Sequence, residues 1–208
     1  PFDANYLEYT YMLDRIDRSR VVCVNDSRGI RDFNEKLSAT AWPALMPTTL
    51  VASNRRRLRT FVEEVGTAVA KPLANAGGFG VVRLSPGDPN TNALIDLLTE
   101  EGRRPIQVQR YLEAVEGGDK RIILLNGAPI GALNRRPMRG ELRANMHVGG
   151  TPEPATVTTR DREICAAIGP ELERRGLVFV GIDVIGGHLA EIDVTTHFAI
   201  VIRAMIGR

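Results

Sequence analysis

The sequence of 208 residues is poor in aromatic residues and carries almost no excess of charge. Aromatic residues make up 5% of the chain, and the net charge is +2, from 27 Lys and Arg against 25 Asp and Glu. Nucleic-acid-binding proteins usually present a clustered basic face, and many stack bases on aromatic rings. The composition therefore argues against a nucleic-acid partner.

Long apolar runs, a signal peptide and paired cysteines are also lacking. Cys23 and Cys165 each stand alone in an apolar context, so neither belongs to a metal or redox motif. We interpret both as buried, reduced thiols of a cytoplasmic protein without a membrane partner. The chain starts at Pro1 with a segment that is already helical in its apolar spacing. We expect it to begin inside a larger protein, a processed N-terminus being the alternative.

Helical and strand patterns alternate along the chain in an irregular order. Periodicity predicts helices at 5–16, 31–42, 55–65, 90–100, 161–175 and 198–205, and strands at 21–24, 49–52, 68–71, 81–84, 106–109, 120–125, 128–133, 178–184 and 189–194. Asn126-Gly127 between two strands is a strong hairpin pattern, and residues 134–154 lack periodicity, which is typical of a functional loop. This order predicts an α+β fold with mainly antiparallel sheets.

A lysine at a strand end, followed by a glycine-rich loop, is the first candidate site. Lys71 is followed by Gly77-Gly78-Phe79-Gly80. Glycines let backbone N–H groups form an anion-binding concavity, and a lysine adds a point charge for phosphate. The pattern is neither a P-loop nor a dinucleotide-binding motif, so a plain hairpin turn explains it better when it is taken alone.

Three carboxylates among apolar residues are the second candidate site, and they suggest a metal. Asp183 lies in one predicted strand, and Glu191 and Asp193 share a face of the next. Oxygen-only ligands suit Mg²⁺. A two-residue turn at Gly186-Gly187 would send Asp183 to the opposite face, so a metal site predicts a loop of odd length. A hairpin with one solvated face is the alternative.

A set of separated cations accompanies these features. Its members are Lys36, Lys71, Arg121, Arg135 and Arg143. Phosphoryl transfer requires cations around a developing phosphoryl charge. Each of these residues alone is better explained by a solvated surface role, whereas the set together favours phosphoryl transfer.

On these residues the chain resembles the prokaryotic-type glutathione synthetases, of which it matches the C-terminal two thirds. The similar stretches are 1–3, 31–37, 71–73, 109–112, 118–121, 143–145, 168–170, 176–183 and 191–195, together with Gly77-Gly78 and Gly149-Gly150. The resemblance implies an ATP-grasp fold, in which two α+β lobes with mainly antiparallel sheets hold ATP between them. Residues 1–25 would be the end of a largely absent N-terminal substrate domain. Residues 26–208 would form the ATP-grasp domain, with a smaller lobe at about 36–110 and a larger, catalytic lobe at about 111–208.

The resemblance also implies roles for individual residues. Lys36 and Lys71 would contact the ATP phosphates beneath a cover formed by Gly77 and Gly78. The hinge along the adenine would be Gln109, Arg110, Tyr111 and Leu112, and Glu113 would meet the ribose. Arg121, Arg135, Arg143 and Asn145 would hold the peptide substrate and the transferred phosphate. Asp183, Glu191 and Asp193 would bind Mg²⁺, with Mn²⁺ as a substitute, although the family usually has Asn where Asp193 stands.

The implied activity is the ATP-dependent joining of γ-glutamylcysteine and glycine through an acyl phosphate, by a homo-oligomeric enzyme. His147, His188 and His197 are scattered and form no nucleophilic triad, which agrees with such a reaction. Another ATP-grasp carboxylate–amine ligase is one alternative. A non-catalytic ATP-binding module is the other, favoured by residues 196–200, where the family has a Ser-Pro-containing loop.

Overall fold

The computed structural model describes residues 2–145 and 149–195. Its α-helices are α1 (Ala4–Leu13), α2 (Ser27–Asp32), α3 (Arg55–Val65), α4 (Thr91–Thr99) and α5 (Thr159–Arg174). Its strands are β1 (Thr49–Ala52), β2 (Ala68–Pro72), β3 (Val82–Leu84), β4 (Ile106–Arg110), β5 (Asp119–Leu125), β6 (Ala128–Arg136), β7 (Thr151–Ala155), β8 (Phe179–Ile185) and β9 (His188–Asp193). The predicted helix at 198–205, the divergent segment 196–200, His147 and His197 lie outside the described residues.

The smaller lobe is built on a four-stranded antiparallel sheet in the order β1-β4-β2-β3. Helices α3 and α4 supply Leu58, Phe61 and Ile95 to a core that the inward side chains of the sheet complete. Helix α3 has the predicted bounds, because the Asn54 side chain accepts a hydrogen bond from the Arg57 amide and caps its start. It ends at Gly66, whose φ of 78° suits glycine.

The larger lobe is a five-stranded antiparallel sheet in the order β7-β6-β5-β8-β9. One face packs on α5, which contributes Ile164, Ile168 and Leu172 to the core. A capping box between Thr158 and Asp161 fixes the start of α5. The α+β fold with antiparallel sheets is therefore confirmed. Among the described residues, no helix has the length and apolar character needed to cross a bilayer.

The segment before β1 differs from the predicted helix at 31–42, which is wrong. Helix α2 ends at Asp32, and a short 3-10 turn follows at Ser38–Ala41. The Asn34 side chain accepts hydrogen bonds from the backbone amides of Lys36 and Leu37, which competes with helical pairing. The side chains that the segment buries, such as Phe33, join the core of the larger lobe.

The predicted strand at 21–24 is also wrong. Val22 is 89% exposed, and no described strand pairs with this segment, although its composition favours a strand. The chain is held instead one residue later, where the buried Asn25 side chain donates to the carbonyls of Phe179 and Val194 and accepts from the Phe179 amide.

The predicted loop at 134–154 is shorter than expected, because β6 runs to Arg136 and β7 begins at Thr151. Pro152 and Pro154 hide β7 from a sequence pattern, since proline lacks the N–H group that a central strand needs. The structure places this strand at the edge of the sheet, where a missing donor is tolerated.

Replacement of Leu172 by alanine tests the core of the larger lobe. Leu172 is fully buried, so Leu172→Ala should lower the free energy of unfolding by about 2–5 kcal/mol in urea denaturation. Leu97, which lies on α4 and is 73% exposed, is the matched control, and Leu97→Ala should change stability by about 0.5 kcal/mol or less. Equal losses for the two variants would contradict this packing.

Candidate functional site

A pocket between the two sheets collects most of the residues that the sequence singled out. Its lining includes Lys36, Lys71, Gly77, Gly78, Gln109, Arg110, Tyr111, Leu112, Arg143, Asn145, Asp183 and Glu191. Glu113, Arg121, Arg135 and Asp193 do not line it. Glu113 is exposed at the start of a 3-10 turn, and the other three lie on the face of the larger sheet that the pocket borders.

The strand register brings Asp183 and Glu191 together by a route that the sequence did not predict. The turn between β8 and β9 has two residues, with Ile185 opposite His188, so the prediction of an odd-length loop is wrong. A β-bulge next to Asp183 shifts the register by one residue, and Asp183 then lies directly opposite Glu191. The bulge supplies the additional residue that an odd loop would have supplied.

Arg121 joins the two acid-bearing strands from beneath the pocket. Its Nε lies 2.5 Å from Asp183 Oδ1, its Nη2 lies 3.1 Å from Asp183 Oδ2, and its Nη1 lies 3.2 Å from Asp193 Oδ2. Gly181 leaves room for the guanidinium, because a Cβ there would lie 2.7 Å from Nη1. Burial alone would raise the pKa of Asp183, but Arg121 and Arg135 outweigh it and hold that pKa at about 2.

Asp119 is a pocket residue that the sequence interpretation missed. Arg135 Nη2 bridges Asp119 Oδ2 at 2.6 Å and Asp183 Oδ1 at 2.8 Å. Asp119 Oδ1 is buried and has no hydrogen-bond partner in the described structure. The predicted strand at 120–125 begins one residue too late to include Asp119, whereas β5 begins at Asp119, which places Asp119 on the same face as Arg121.

Glu35 is a second residue that the sequence interpretation missed, and it lies beside Lys36. Lys71 Nζ lies 3.0 Å from Glu191 Oε1, an ion pair that links β2 of one lobe with β9 of the other. Lys36 Nζ donates to Glu35 Oε1 and to the Asn75 carbonyl, the latter at 2.7 Å. The Glu35 carbonyl accepts from the Ile192 amide at 3.0 Å, which ties this segment to β9.

The carboxylates of the site exceed its available positive charge. Burial, together with repulsion from Glu191, raises the pKa of Glu35 to about 7. Burial is also the main reason why the pKa of Asp119 rises to about 6, and the charge of Asp183 adds to it. Both carboxyl groups are therefore harder to ionise than a carboxyl group in water, and a bound cation nearby would stabilise their negative charge.

The donor set fits a divalent cation in its chemistry, although the acids are occupied by ion pairs. Within residues 2–145 and 149–195, no three His, Cys, Asp or Glu side chains are arranged as they stand to hold a metal. Glu191 and Asp193 share one face and offer oxygen ligands only, which suits Mg²⁺. Asp183 is less available, because two arginines already hold both of its oxygens.

The predicted hinge, residues 109–112 at the end of β4, lines the pocket. The amides of Arg110 and Tyr111 donate to the carbonyls of Thr48 and Thr67, both at 2.9 Å, so the strand end is fixed. The Arg83 guanidinium lies 5.1 Å from the centre of the Tyr111 ring and holds that side chain at the pocket wall.

The glycine-rich loop forms the cover of the pocket. Gly78 has a φ of 81°, and a Cβ there would lie 2.7 Å from Asn145 Oδ1. Only glycine therefore lets the loop approach Asn145 this closely. Lysines on one wall, carboxylates on the other and a glycine-rich cover together can bind a polyphosphate and a divalent cation.

Two family models match the chain. The ATP-grasp domain of prokaryotic glutathione synthetase matches residues 35–203, and the N-terminal domain of prokaryotic glutathione synthetase matches residues 1–31. The glutathione synthetase of Synechococcus elongatus is 48% identical over 94% of this chain, and that of Brucella melitensis is 47% identical over the same share. The chain spans 61% and 62% of the length of these two relatives.

Solved structures of ligases share the architecture. The ATP-grasp ligase PsnB, complexed with the precursor peptide PsnA2 and AMPPNP, has a TM-score of 0.67 at 17% identity, covering 96% of this chain and 62% of PsnB. The D-cycloserine synthetase DcsG has a TM-score of 0.68 at 15% identity, covering 92% of this chain and 70% of DcsG. At these identities the likeness shows the ATP-grasp fold alone.

Neutralising Asp183 tests the buried charge network. Asp183→Asn leaves Arg121 and Arg135 buried with too few counter-charges, so the free energy of unfolding should fall by about 3–5 kcal/mol in urea. The control is Glu171→Gln, which breaks ion pairs with Arg174 and Arg175 on the surface of α5 and should cost far less. A loss for Asp183→Asn no larger than the loss for the control would contradict the network.

Proposed function

Because the chain belongs to the prokaryotic glutathione synthetase family, we propose that it forms the ATP-binding and ligating part of an enzyme that joins γ-glutamylcysteine to glycine. The observation that carries the proposal is the pocket in which Lys71 of one lobe faces Glu191 of the other at 3.0 Å. Such an arrangement offers cations to phosphate oxygens and carboxylates to a divalent cation within one cleft.

The proposed reaction proceeds in two steps. A carboxylate oxygen of γ-glutamylcysteine attacks the γ-phosphorus of ATP, the bond from phosphorus to the β–γ bridging oxygen breaks, and ADP leaves. The amine of glycine then attacks the acyl carbon, the bond to the phosphate oxygen breaks, and the amine loses its proton as phosphate leaves. Neither step needs a side-chain nucleophile, so the site has to position the reactants, neutralise charge and exclude water.

The lysines are the proposed phosphate ligands. Lys36 and Lys71 are both buried at the pocket wall, where a low dielectric strengthens their attraction for phosphate oxygens. Gly77 and Gly78 would cover the phosphates with backbone N–H groups. The hinge from Gln109 to Leu112 would lie along the adenine.

Hydroxyl groups of the nucleotide have an acceptor available at the pocket wall. Asp119 Oδ1 is buried without a partner, and a bound hydroxyl would supply the missing donor. Glu113, the sequence candidate for a ribose contact, is exposed and outside the pocket lining, which makes Asp119 the better placed of the two.

Glu191 and Asp193 are the proposed ligands for Mg²⁺, with Asp183 beside them and Mn²⁺ as a substitute. Each of the first two has one ion pair in the described structure, to Lys71 and Arg121 respectively. When bound, the cation would neutralise charge on the β- and γ-phosphate oxygens.

The arginines and Asn145 are the proposed contacts of the peptide substrate and the transferred phosphate. Arg143 and Asn145 line the pocket and can meet a ligand directly. Arg121 and Arg135 lie behind the carboxylates, so they would reach a ligand only by exchanging their present partners.

We further propose that the enzyme acts in the cytoplasm as a homo-oligomer. Cys165 is buried as expected, whereas Cys23 is only partly buried, and both are free thiols, which supports a reducing compartment. The homo-oligomer is inferred from the resemblance to the prokaryotic glutathione synthetases. Burial raises the pKa of the Cys165 thiol to about 11, which keeps it protonated and inert.

ADP release by the full-length protein tests the proposed activity. With ATP, Mg²⁺ and γ-glutamylcysteine, turnover should require glycine, and Glu191→Ala should lower it by at least about 100-fold, because the cation loses a ligand. Glu116→Gln, at an exposed position outside the pocket, is the control and should stay near the wild-type rate. Nucleotide binding without turnover by either substrate would assign the chain to another ligase or to a binding module.

Manganese binding separates the metal site from catalysis. Electron paramagnetic resonance with Mn²⁺ and a non-hydrolysable ATP analogue should show a bound signal, and Glu191→Gln and Asp193→Ala should each weaken Mn²⁺ binding about 10-fold or more. The Glu116→Gln protein should bind Mn²⁺ like the wild type. Unchanged binding in both acid variants would remove them from the metal site.

A further inference from the structure

Arg143 is held in place by an acid that no sequence feature singled out. Glu141 Oε1 accepts from the Arg143 backbone amide at 3.1 Å and from Nε at 2.9 Å, and Glu141 Oε2 accepts from Nη2 at 2.8 Å. Hydrogen bonds from Arg143 hold the pKa of Glu141 at about 2, so the carboxylate is ionised at any neutral pH. The pairing is bidentate and fixes the plane of the guanidinium.

The remaining edge of the Arg143 guanidinium points to the glycine-rich loop. Nη1 lies 3.3 Å from the Gly78 carbonyl oxygen, and a Cβ on Gly78 would lie 3.1 Å from Arg143 Cδ. Asn145, two residues after Arg143, lies against the same glycine. Residues 141–145 thus pack along the glycine-rich loop that covers the pocket, and Glu141 determines which nitrogen of the Arg143 guanidinium faces that loop.

We propose that Glu141 is a positioning residue for phosphoryl transfer: by holding Nε and Nη2 of Arg143, it directs Nη1 over the glycine-rich loop, where a phosphoryl oxygen of the bound nucleotide would be met. This inference rests on the proposed function. A charged phosphoryl oxygen is a stronger acceptor than the Gly78 carbonyl, so Nη1 would exchange one for the other without a change of rotamer.

The energetic reason lies in the freedom of an arginine side chain. An arginine side chain that is free to rotate loses rotamer entropy when it becomes fixed on a ligand. Glu141 fixes the side chain before any ligand arrives, so that entropy is not lost again when the transition state forms. The proposed contact is to the phosphoryl group that is transferred, and an interaction that strengthens in the transition state raises kcat more than it strengthens binding. Loss of Glu141 should therefore slow the chemical step more than it weakens nucleotide binding.

The chain offers a matched control in a second bidentate pair. Arg136 Nε lies 2.9 Å from Glu153 Oε1, and Arg136 Nη2 lies 3.1 Å from Glu153 Oε2. Neither residue lines the pocket. The pair reproduces the charges and geometry of Glu141 and Arg143, but at an exposed site on β6 and β7.

Steady-state kinetics of the full-length protein test the proposal. Glu141→Gln should lower kcat about 10- to 100-fold with a smaller change in the KM for ATP, because the guanidinium is no longer directed. Glu141→Asp should recover part of the rate, and Glu153→Gln should match the wild type. Wild-type kcat in Glu141→Gln, with ADP release intact, overturns the inference and leaves the proposed function standing.

Amide hydrogen exchange tests the same contact without any turnover. In the nucleotide-free protein, exchange at residues 77–80 should be faster in Glu141→Gln than in the wild type, while Glu153→Gln should leave it unchanged. If the wild type forms no ADP, the proposed function fails, and this comparison still decides the contact. Equal exchange in all three proteins would overturn it.

Discussion

The buried ion pair of Arg121 with Asp183 ties together β5 and β8, which are neighbouring strands of the larger sheet. The other charges of the site are arranged around this pair. Asp183 has both oxygens occupied on β8, and Arg121 reaches from β5 past the bare Cα of Gly181 to Asp193 on β9. A buried charge without its partner is costly, so each member constrains the others. The result is a set of fixed charges that forms the floor of a pocket for charged ligands.

This floor depends on one irregularity in the sheet. Without the bulge between β8 and β9, Asp183 would face away from Glu191, and the carboxylates would be divided between the pocket and the apolar core. The opposite face carries Ile182 and Ile192, which are buried with α5. A shift of one residue would therefore expose the core side chains and bury the acids, which is why the bulge is inseparable from the site.

The sequence predicted those parts of the molecule in which local chemistry decides the structure. Helix α3 could be placed because Asn54 and Gly66 mark its ends, and the β5–β6 hairpin could be placed because Asn126-Gly127 suits its turn. Prediction from the sequence failed where residues far apart in the sequence determine the local structure. The bulge beside Asp183 and the edge position of β7 depend on neighbouring strands, and Glu35 belongs to the site only because its segment folds onto β9.

The ion pair between Lys71 and Glu191 has a thermodynamic consequence for the order of events in the cleft. A phosphate that binds Lys71 takes the counter-charge away from Glu191, and a cation that binds Glu191 frees Lys71 in the same way. Each ligand removes the competitor of the other, so nucleotide and divalent cation favour each other's binding by the same factor. The ion pair between Lys71 and Glu191 therefore couples the phosphate site of one lobe to the metal site of the other, and it favours ligands that arrive as a pair of opposite charges.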